Sequence, residues 1–473
     1  MSLANRSLII IDDFSNQEIE VVFSLADEMS ASMSEQSSVC QGKIMASLFF
    51  EPSTRTRLSF EAAMHRLGGR VISVVEMSNT SLAKGESIAD MARMVGSYAD
   101  IIVIRHPWEG AAKVVADYAG VPVINAGDGG HEHPTQTLCD LYTIKKERKT
   151  IDGLKIALWG DLKHGRTIHS LAYALARFGA TIHFRPGSGL GLPEHVIRKL
   201  TTEYGGILEK YDDIEGVDKE RAFPLDAIYI TPSKPHQLAN IPDVSIHVEM
   251  RKGVDALYVT RLQVERLESK TEGQELEKHY PIVDKKLLKG KQFKETLVMH
   301  PLPRIDELAY EVDADPRSMY FKQAARGVPI RMALISLLLG TKEVDITEKE
   351  GPTFVTEIDY PVYNRAFGVR CGNKKCVSAQ QTETRYIKPE FKVVAKKPLT
   401  LRCVYCDQET HPPYIASSEW HDGTLEKKRY YGSDSFMLGR VKPENLIIFG
   451  SEKEAQDRGF KPSQYAHTPA KRR

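Results

Sequence analysis

The chain has 473 residues, with 64 lysines and arginines against 63 aspartates and glutamates, and a formal net charge of +1. At roughly 100–200 residues per domain, this length predicts two to four domains, each able to bury a core. Hydrophobic residues make up 41% and charged residues 27%, which excludes a wholly disordered or collagen-like chain, and the balanced charge gives no support for a protein that coats nucleic acid or membrane.

The sequence lacks the features of a secreted or membrane-spanning protein. Its first apolar run is four residues long and ends at Asp12 and Asp13, too short for a signal peptide. No stretch approaches the roughly 18 apolar residues that a membrane helix needs. We therefore expect a cytoplasmic protein.

Short β-branched segments alternate with helical patterns from about residue 44 to 340. A strand is predicted at 43–50, followed by a polar turn and a helix that ends at Gly68. The apolar face of this helix is formed by Phe60, Ala63, Met64 and Leu67. Further strands are predicted at 70–75, 100–104, 121–125, 154–160, 181–184 and 255–259. The alternation predicts an α/β protein with two doubly wound parallel-sheet subdomains.

Changes in composition predict the boundaries. The hydrophilic segment 145–153 indicates a hinge between two units of about 150 residues. A last helix is predicted from Pro329 to Leu339, ending at Gly340. After it, charged turns, aromatic-rich short strands and clustered cysteines predict a small separate module. A single near-duplication, LDAIYIT at 225–231 and VDALYVT at 254–260, is compatible with one extra strand in the second sheet.

A phosphate site is indicated where the first predicted strand meets its helix. Ser53, Thr54, Arg55 and Thr56 stand there, and a helix N-terminus that carries hydroxyls and a guanidinium binds anions well. The alternative is ordinary helix capping by serine or threonine. The four residues by themselves leave both interpretations open.

Two further strand ends carry polar side chains of the same kind. Arg105 follows the strand at 100–104, and His133 precedes Pro134 at the start of a predicted helix, with Gln136 one turn on. His133 and Gln136 are placed to contact a carbonyl or carbamoyl group. A capping histidine is the alternative.

The second unit places arginines at its strand ends. Arg166 follows the strand at 154–160, while Arg261 and Gln263 follow the strand at 255–259. Guanidinium groups pair bidentately with carboxylates, so the pattern favours a dicarboxylate ligand, with surface salt bridges as the alternative. No covalent-nucleophile motif is present.

Four cysteines form two ligand pairs, Cys371-x4-Cys376 and Cys403-x2-Cys406. Four thiolates with this spacing are typical of a structural, tetrahedral Zn²⁺ site. Because the protein supplies all four ligands, we expect no catalytic metal. Cys40 and Cys139 are interpreted as core residues.

Seven separated segments resemble the catalytic chain of aspartate carbamoyltransferase, over roughly residues 5–340. They are 49–61, 78–87, 104–110, 125–144, 160–172, 258–267 and 299–307. The resemblance implies the two-domain transcarbamoylase fold, a homotrimer with composite active sites, and a place in pyrimidine biosynthesis. It implies an enzyme that carbamoylates L-aspartate from carbamoyl phosphate, without a catalytic cofactor, nucleic acid or membrane partner.

The resemblance also implies residue roles. Carbamoyl phosphate is expected to contact Ser53, Thr54, Arg55, Thr56, Arg105, His133 and Gln136, together with Ser81 and Lys84 of the neighbouring subunit. Aspartate is expected to contact Arg166, Arg261, Gln263 and the carbonyl of Leu302. Arg55, Thr56, Arg105 and His133 are the expected catalytic residues.

The cysteine module resembles the zinc domain of the regulatory chain of the same family. Only about 30 residues separate Gly340 from Cys371, too few for the nucleotide-binding half of that chain. We therefore expect no nucleotide regulation through the module. The domains predicted are carbamoyl phosphate binding at 1–149, aspartate binding at 150–320, a helix at 321–345 that packs back on the first domain, and the zinc module with its tail at 346–473.

Two alternatives remain for function. One is carbamoyl transfer to another amine such as ornithine, although ornithine enzymes typically carry His-Cys-Leu-Pro where this chain has His-Pro-Leu-Pro at 300–303. The other is a catalytically silent assembly protein.

Overall fold

The computed structural model describes residues 2–76, 81–163, 165–187, 189–205, 208–210, 226–231, 255–261, 282–344, 362–363, 365–418, 428–442 and 445–463. The chain divides into two compact units. The first comprises Met1–Val75, Val95–Arg105 and Gly120–Glu357, and the second comprises Glu76–Met94, His106–Ala119 and Ile358–Arg473. Among the described residues, no helix combines the length and apolar character needed to cross a membrane.

The described helices are α1 Asn16–Ala31, α2 Thr54–Arg66, α3 Ile88–Gly96, α4 Ala111–Ala119, α5 Pro134–Arg148, α6 Arg166–Arg177, α7 Glu194–Arg198, α8 Lys285–Leu288, α9 Tyr320–Leu338 and α10 Glu452–Asp457. The described strands are β1 Ile44–Phe49, β2 Arg70–Val75, β3 Ile101–His106, β4 Val123–Asp128, β5 Lys155–Gly160, β6 Thr181–Pro186, β7 Leu208–Lys210, β8 Ala227–Ile230, β9 Ala256–Val259, β10 Leu297–Met299, β11 Val362–Tyr363, β12 Ala366–Phe367, β13 Phe391–Lys396, β14 Leu399–Cys403, β15 Glu409–Thr410, β16 Tyr414–Ser417, β17 Arg429–Gly432, β18 Leu446–Phe449 and β19 Lys461–Pro462.

The first unit contains two sheets. One has the strand order β2-β1-β3-β4 and the other has the order β10-β9-β8-β5-β6-β7. β1 runs parallel to both of its neighbours, and the six strands of the second sheet are all parallel. Every residue of β3 and β4 is buried, as expected for short apolar strands covered by helices. The predicted α/β class is confirmed.

The near-duplicated sequence forms two neighbouring strands. β8 and β9 pair in parallel register, with Tyr229 opposite Tyr258. The two tyrosine rings stack with centroids 4.4 Å apart and an angle of 12° between their planes. The repeat therefore places matching tyrosines side by side on one face of the second sheet.

The last helix of the α/β region corrects a prediction. α9 begins at Tyr320 and not at Pro329, which lies in its interior; this start is one residue from that of the helix at 321–345 in the predicted domain division. An interior proline lacks one backbone donor and costs about 3 kcal/mol in an isolated helix. Here the helix packs against α1, α2 and α5 and buries nearly all of its second half, and this burial outweighs the local cost.

The predicted hinge at 145–153 is also partly wrong. Residues 145–148 form the last turn of α5, and the helix ends at Lys149, whose φ is 71°. Three basic residues in this last turn favour the helix because its C-terminus carries partial negative charge. Hydrophilic composition alone did not distinguish a solvated helix end from a hinge.

The second unit is rich in β structure. One sheet has the order β11-β13-β14-β15 and the other has the order β12-β18-β16-β17-β19. A small apolar cluster supports the second sheet, with Tyr430 and Phe449 fully buried. The aromatic-rich short strands predicted for this region are confirmed.

Candidate active site and metal centre

The turn between β1 and α2 presents a set of hydrogen-bond donors. Ser53 is the N-cap residue of α2, but its hydroxyl makes no capping hydrogen bond. The first intrahelical donor is the N–H of Arg57, which bonds to the carbonyl of Ser53, so the amides of residues 54–56 precede the helical hydrogen-bond ladder. These features favour an anion site over ordinary capping at this helix.

Two arginines, one at this helix start and one after β9, lie close enough to influence each other electrostatically. Arg55 lies in the first turn of α2, and Arg261 follows β9 by two residues. Burial, and then the positive charge of Arg261, lower the pKa of Arg55. Because a bound anion relieves the mutual repulsion of two guanidinium groups, the pair is a candidate site for an anionic ligand.

Arg105 lies at the end of β3, beside the same turn. Its side chain is only 10% exposed, and its Nε lies 3.2 Å from a carboxylate oxygen of Glu51. Its Nη1 donates to the carbonyl of Ala126 at 3.3 Å. These contacts hold the guanidinium group in one orientation.

His133 is buried at the N-cap of α5 and makes no side-chain capping bond. Its backbone N–H donates to Ser170 Oγ at 3.4 Å, and its ring Nδ1 lies 3.4 Å from Thr135 Oγ1. One turn on, Gln136 donates from Nε2 to Asp140 at 2.8 Å. The ring of His133 therefore does not cap α5, and its predicted contact with a carbamoyl group stays a prediction.

The loop after β10 is fixed by a buried histidine. The N–H of Leu302 donates to Nδ1 of His300 at 2.8 Å, so Nε2 of that ring carries a proton and donates to Glu307 at 2.7 Å. Burial lowers the pKa of His300, which keeps the ring neutral near pH 7. Leu302 has a φ of 56°, a left-handed conformation that is strained for a leucine and is concentrated at functional sites.

Asp140 is a buried residue that the sequence analysis missed. It accepts hydrogen bonds from Gln136, Gln323 and Tyr258. Burial raises its pKa to about 7. A signal was available, because Asp140 lies four residues after Gln136 and therefore on the same face of α5.

Some predicted site residues are described only in part. Arg166 begins α6, but its side chain lies outside the described residues, as does all of Gln263. Ser81 and Lys84 are exposed at the two ends of one 3-10 turn in the second unit. Their predicted roles stay predictions.

The four clustered cysteines come together in the second unit. Their sulfur atoms all lie within 4.8 Å of one another, with Cys371 and Cys406 3.5 Å apart and Cys376 and Cys403 3.8 Å apart. A tetrahedron with Zn–S bonds of about 2.3 Å has sulfur atoms about 3.8 Å apart, so the cluster fits a four-thiolate metal site.

The cysteine module contacts the residues that directly precede α4 within the same unit. The N–H of Glu109 donates to the carbonyl of Lys375, and the N–H of Val377 donates back to the carbonyl of Glu109, each at 2.9 Å. The side-chain amide of Asn373 donates to the Glu109 carboxylate at 2.6 Å. A Cβ on Gly110 would lie 2.5 Å from Cβ of Tyr405.

The described geometry defines an α/β protein with a candidate anion site at a helix start and a separate four-cysteine centre. The family model of the aspartate/ornithine carbamoyltransferase carbamoyl-P binding domain matches residues 6–146, and that of the Asp/Orn binding domain matches residues 236–338. The metal binding domain of the aspartate carbamoyltransferase regulatory chain matches residues 362–415.

Known proteins give the same result. The aspartate carbamoyltransferase catalytic subunit of Thermococcus gammatolerans is 47% identical over 343 residues, covering 72% of this chain and 99% of that protein. The corresponding subunit of Thermoplasma acidophilum is 46% identical over 340 residues, with the same coverage.

Among solved structures, the catalytic subunit of M. jannaschii aspartate transcarbamoylase has a TM-score of 0.56 at 40% identity, covering 71% of this chain and 98% of that one. The Trypanosoma cruzi enzyme in complex with carbamoyl phosphate and aspartate has a TM-score of 0.59 at 35% identity, with the same coverage. The chain therefore belongs to the aspartate carbamoyltransferase family, and it carries the metal-binding domain of the regulatory chain behind the catalytic region.

Proposed function

We propose that this chain transfers the carbamoyl group of carbamoyl phosphate to the amine of L-aspartate, giving N-carbamoyl-L-aspartate and phosphate in pyrimidine biosynthesis. The observation that carries the proposal is that Arg55, in the first turn of α2, and Arg261, which follows β9, lie close enough for the charge of Arg261 to lower the pKa of Arg55. One cation suits a phosphate and the other a carboxylate. The family membership and the substrates of the T. cruzi relative support the same reaction.

Carbamoyl phosphate binds at the start of α2. Ser53, Thr54, Arg55 and Thr56 hold its phosphate together with Arg105. Arg105, Thr56, His133 and Gln136 surround its carbamoyl group. The buried, oriented guanidinium of Arg105 supports this assignment, because a group fixed before binding loses little entropy on binding.

Aspartate binds on the side of the second sheet. Its carboxylates pair with Arg166 and Arg261, with Gln263 assisting, and the carbonyl of Leu302 orients its amine. The strained left-handed backbone of Leu302, held by the ring of His300, supports this role.

The uncharged amine attacks the carbamoyl carbon, and negative charge develops on the carbamoyl oxygen. Thr56, Arg105 and His133 donate hydrogen bonds to that oxygen. One such donor contributes a factor of about 10²–10³ in rate. The C–O bond to phosphate breaks, and the leaving phosphate takes up the proton that the amine loses. Phosphate leaves readily, so positioning the two reactants supplies most of the remaining acceleration.

An assay of carbamoyl phosphate with aspartate, ornithine and putrescine in parallel tests the reaction. We expect carbamoyl-aspartate and phosphate in equal amounts, and no citrulline. Citrulline as the main product would identify ornithine as the acceptor, and no product with any amine would identify a silent assembly protein.

The active site is completed by a neighbouring subunit of a homotrimer. The exposed turn that bears Ser81 and Lys84 supports this role. Mixing Lys84→Ala chains with His133→Ala chains after mild dissociation tests it, because a mixed trimer regains intact sites only if the two residues come from different chains. If mixing restores no activity, that result would contradict a shared site.

The cytoplasmic location of the protein stays a prediction.

The four cysteines bind one structural Zn²⁺ per chain, which stabilises a module with a small core. The sulfur distances support this choice of metal. Metal analysis of the purified chain and of a Cys403→Ser variant tests it. We expect one zinc per wild-type chain and loss of the metal in the variant, whereas a metal-free wild-type chain that keeps its fold would contradict the assignment.

A further inference from the structure

One buried carboxylate joins segments that carry different parts of the proposed site. Oδ1 of Asp140 accepts from Nε2 of Gln136 at 2.8 Å and from Nε2 of Gln323 at 2.7 Å. Its Oδ2 accepts from the hydroxyl of Tyr258 at 3.1 Å. Asp140 is fully buried, so these bonds replace hydration and their loss is costly.

Each donor leads to a proposed substrate ligand. Gln136 is itself a proposed carbamoyl contact. Tyr258 lies in β9, three residues before Arg261, so a contact that holds Tyr258 also fixes the strand that leads to this arginine. Gln323 of α9 accepts the backbone N–H of His300 at 3.1 Å through Oε1. His300 in turn holds the N–H of Leu302.

The paired tyrosines of the repeated sequence extend this set of contacts. Tyr258 stacks on Tyr229, whose hydroxyl lies 3.2 Å from Oγ1 of Thr167. Thr167 follows Arg166 at the start of α6. The repeated Asp-Ala-apolar-Tyr pattern thus supplies a second aromatic ring, Tyr229, which links Tyr258 and its partner Asp140 to Thr167.

We propose that Asp140 is a positioning residue that couples carbamoyl phosphate binding to aspartate binding. The inference rests on the proposed function. Carbamoyl phosphate orients Gln136, Gln136 and Tyr258 share the carboxylate of Asp140, and Tyr258 sets the position of Arg261. Binding of the first substrate therefore favours the arrangement that binds the second.

The test measures the coupling directly, with succinate as a dicarboxylate that cannot react. Its dissociation constant is determined by calorimetry on the full-length protein, with and without carbamoyl phosphate. In the wild-type chain we expect carbamoyl phosphate to tighten succinate binding. In Asp140→Ala we expect this enhancement to fall roughly tenfold or to disappear, because coupling of this kind typically amounts to about 5–150-fold.

Two further variants separate positioning from plain stability. Tyr258→Phe removes one donor and should lose part of the enhancement. Asp140→Asn keeps an oxygen acceptor for the glutamine side chains and should restore most of it. Thr143→Val removes a different buried hydrogen bond on α5, from Thr143 Oγ1 to the Cys139 carbonyl at 2.8 Å, and should lower stability while leaving the enhancement unchanged.

Unchanged coupling in Asp140→Ala would overturn the inference, as would an equal loss of coupling in Thr143→Val. If Asp140→Ala does not fold, unchanged coupling in Tyr258→Phe overturns it instead. A wild-type chain that does not carbamoylate aspartate would overturn the proposed function, whereas an active wild-type chain with an uncoupled Asp140 would overturn this inference alone.

Discussion

Glu383 of the cysteine module accepts the backbone N–H of Ile88, with its two carboxylate oxygens 3.1 and 3.3 Å from that nitrogen. Ile88 is the first residue of α3, so a side chain from the module satisfies one of the free donors at the start of this helix. The turn that carries Ser81 and Lys84 lies just before this helix in the chain. The module therefore stabilises the backbone next to two proposed substrate ligands.

Replacing Glu383 should release the start of α3. We expect Glu383→Ala to cost about 1 kcal/mol, the usual contribution of a helix-capping side chain, and to speed hydrogen exchange at the Ile88 amide. Mass spectrometry of exchanged peptides measures the effect. Glu390→Ala, which removes an exposed carboxylate of the same module, is the control. Equal exchange at Ile88 in wild type and Glu383→Ala would show that the contact does not protect this helix.

Gly110 should be intolerant of a side chain for a reason that Gly120 does not share. Both glycines flank α4 and have positive φ values, 82° and 69°. A Cβ at Gly110 would lie 2.5 Å from Tyr405, whereas a Cβ at Gly120 meets nothing within 4 Å. Alanine at either position costs roughly 1–2 kcal/mol from the left-handed backbone, and Gly110→Ala adds the steric clash.

We therefore expect Gly110→Ala to lower the melting temperature more than Gly120→Ala. It should also speed hydrogen exchange at two amides. The amide of Glu109 donates to Lys375 of the module, and the amide of Val377 in the module donates to Glu109. Equal melting temperatures in the two variants would contradict the close packing of Tyr405.

Stability should depend on pH through Glu132. Burial raises the pKa of this carboxyl group from 4.5 to about 7, and its Oε1 has no hydrogen-bond partner among the described residues. The folded state therefore binds more protons than the unfolded state between these pH values. The free energy of unfolding should consequently fall as the pH rises through this range.

In Glu132→Gln the side chain stays neutral at every pH, so we expect the stability lost between pH 4.5 and pH 7 to shrink. Urea unfolding at a series of pH values measures this change. A variant with the same pH slope as the wild type would indicate that other groups account for it.

Arg55→Ala should nearly abolish turnover. This change removes a guanidinium group from the start of α2, where its positive charge is needed to bind the phosphate of the proposed substrate. A missing donor at a reacting group typically costs about 10²–10³ in rate. Arg66→Ala removes the same charge from the exposed C-terminal end of this helix and should keep wild-type kcat. Comparable activity in both variants would rule out the phosphate role of Arg55.

Arg261→Ala should mainly raise the KM for aspartate and leave the affinity for carbamoyl phosphate little changed. Loss of a paired carboxylate contact costs about 1.5–3 kcal/mol, or roughly 10- to 100-fold in affinity. Steady-state kinetics with each substrate varied in turn separates the two effects. Wild-type kinetics for aspartate would refute the assignment.

Much of the fold followed from local patterns. The strand at 43–50 and the helix after it were predicted almost to the residue, because β-branched runs and a 3.6-residue apolar repeat reflect burial directly. The local pattern alone placed Pro329 at the start of a helix and missed its interior position, since that position depends on packing against three other helices. The same applies to the basic turn at the end of α5.

The sequence by itself determined the family, the strand and helix order, and which residue types stand at strand ends and in the cysteine pairs, because periodicity and motif spacing are local properties of the chain. Only the tertiary structure decided that Arg55 approaches Arg261, that Tyr258 stacks on Tyr229, and that Asp140 receives donors from three segments. These relationships join residues far apart in sequence, and their energies depend on burial and on exact distances, which no local pattern encodes.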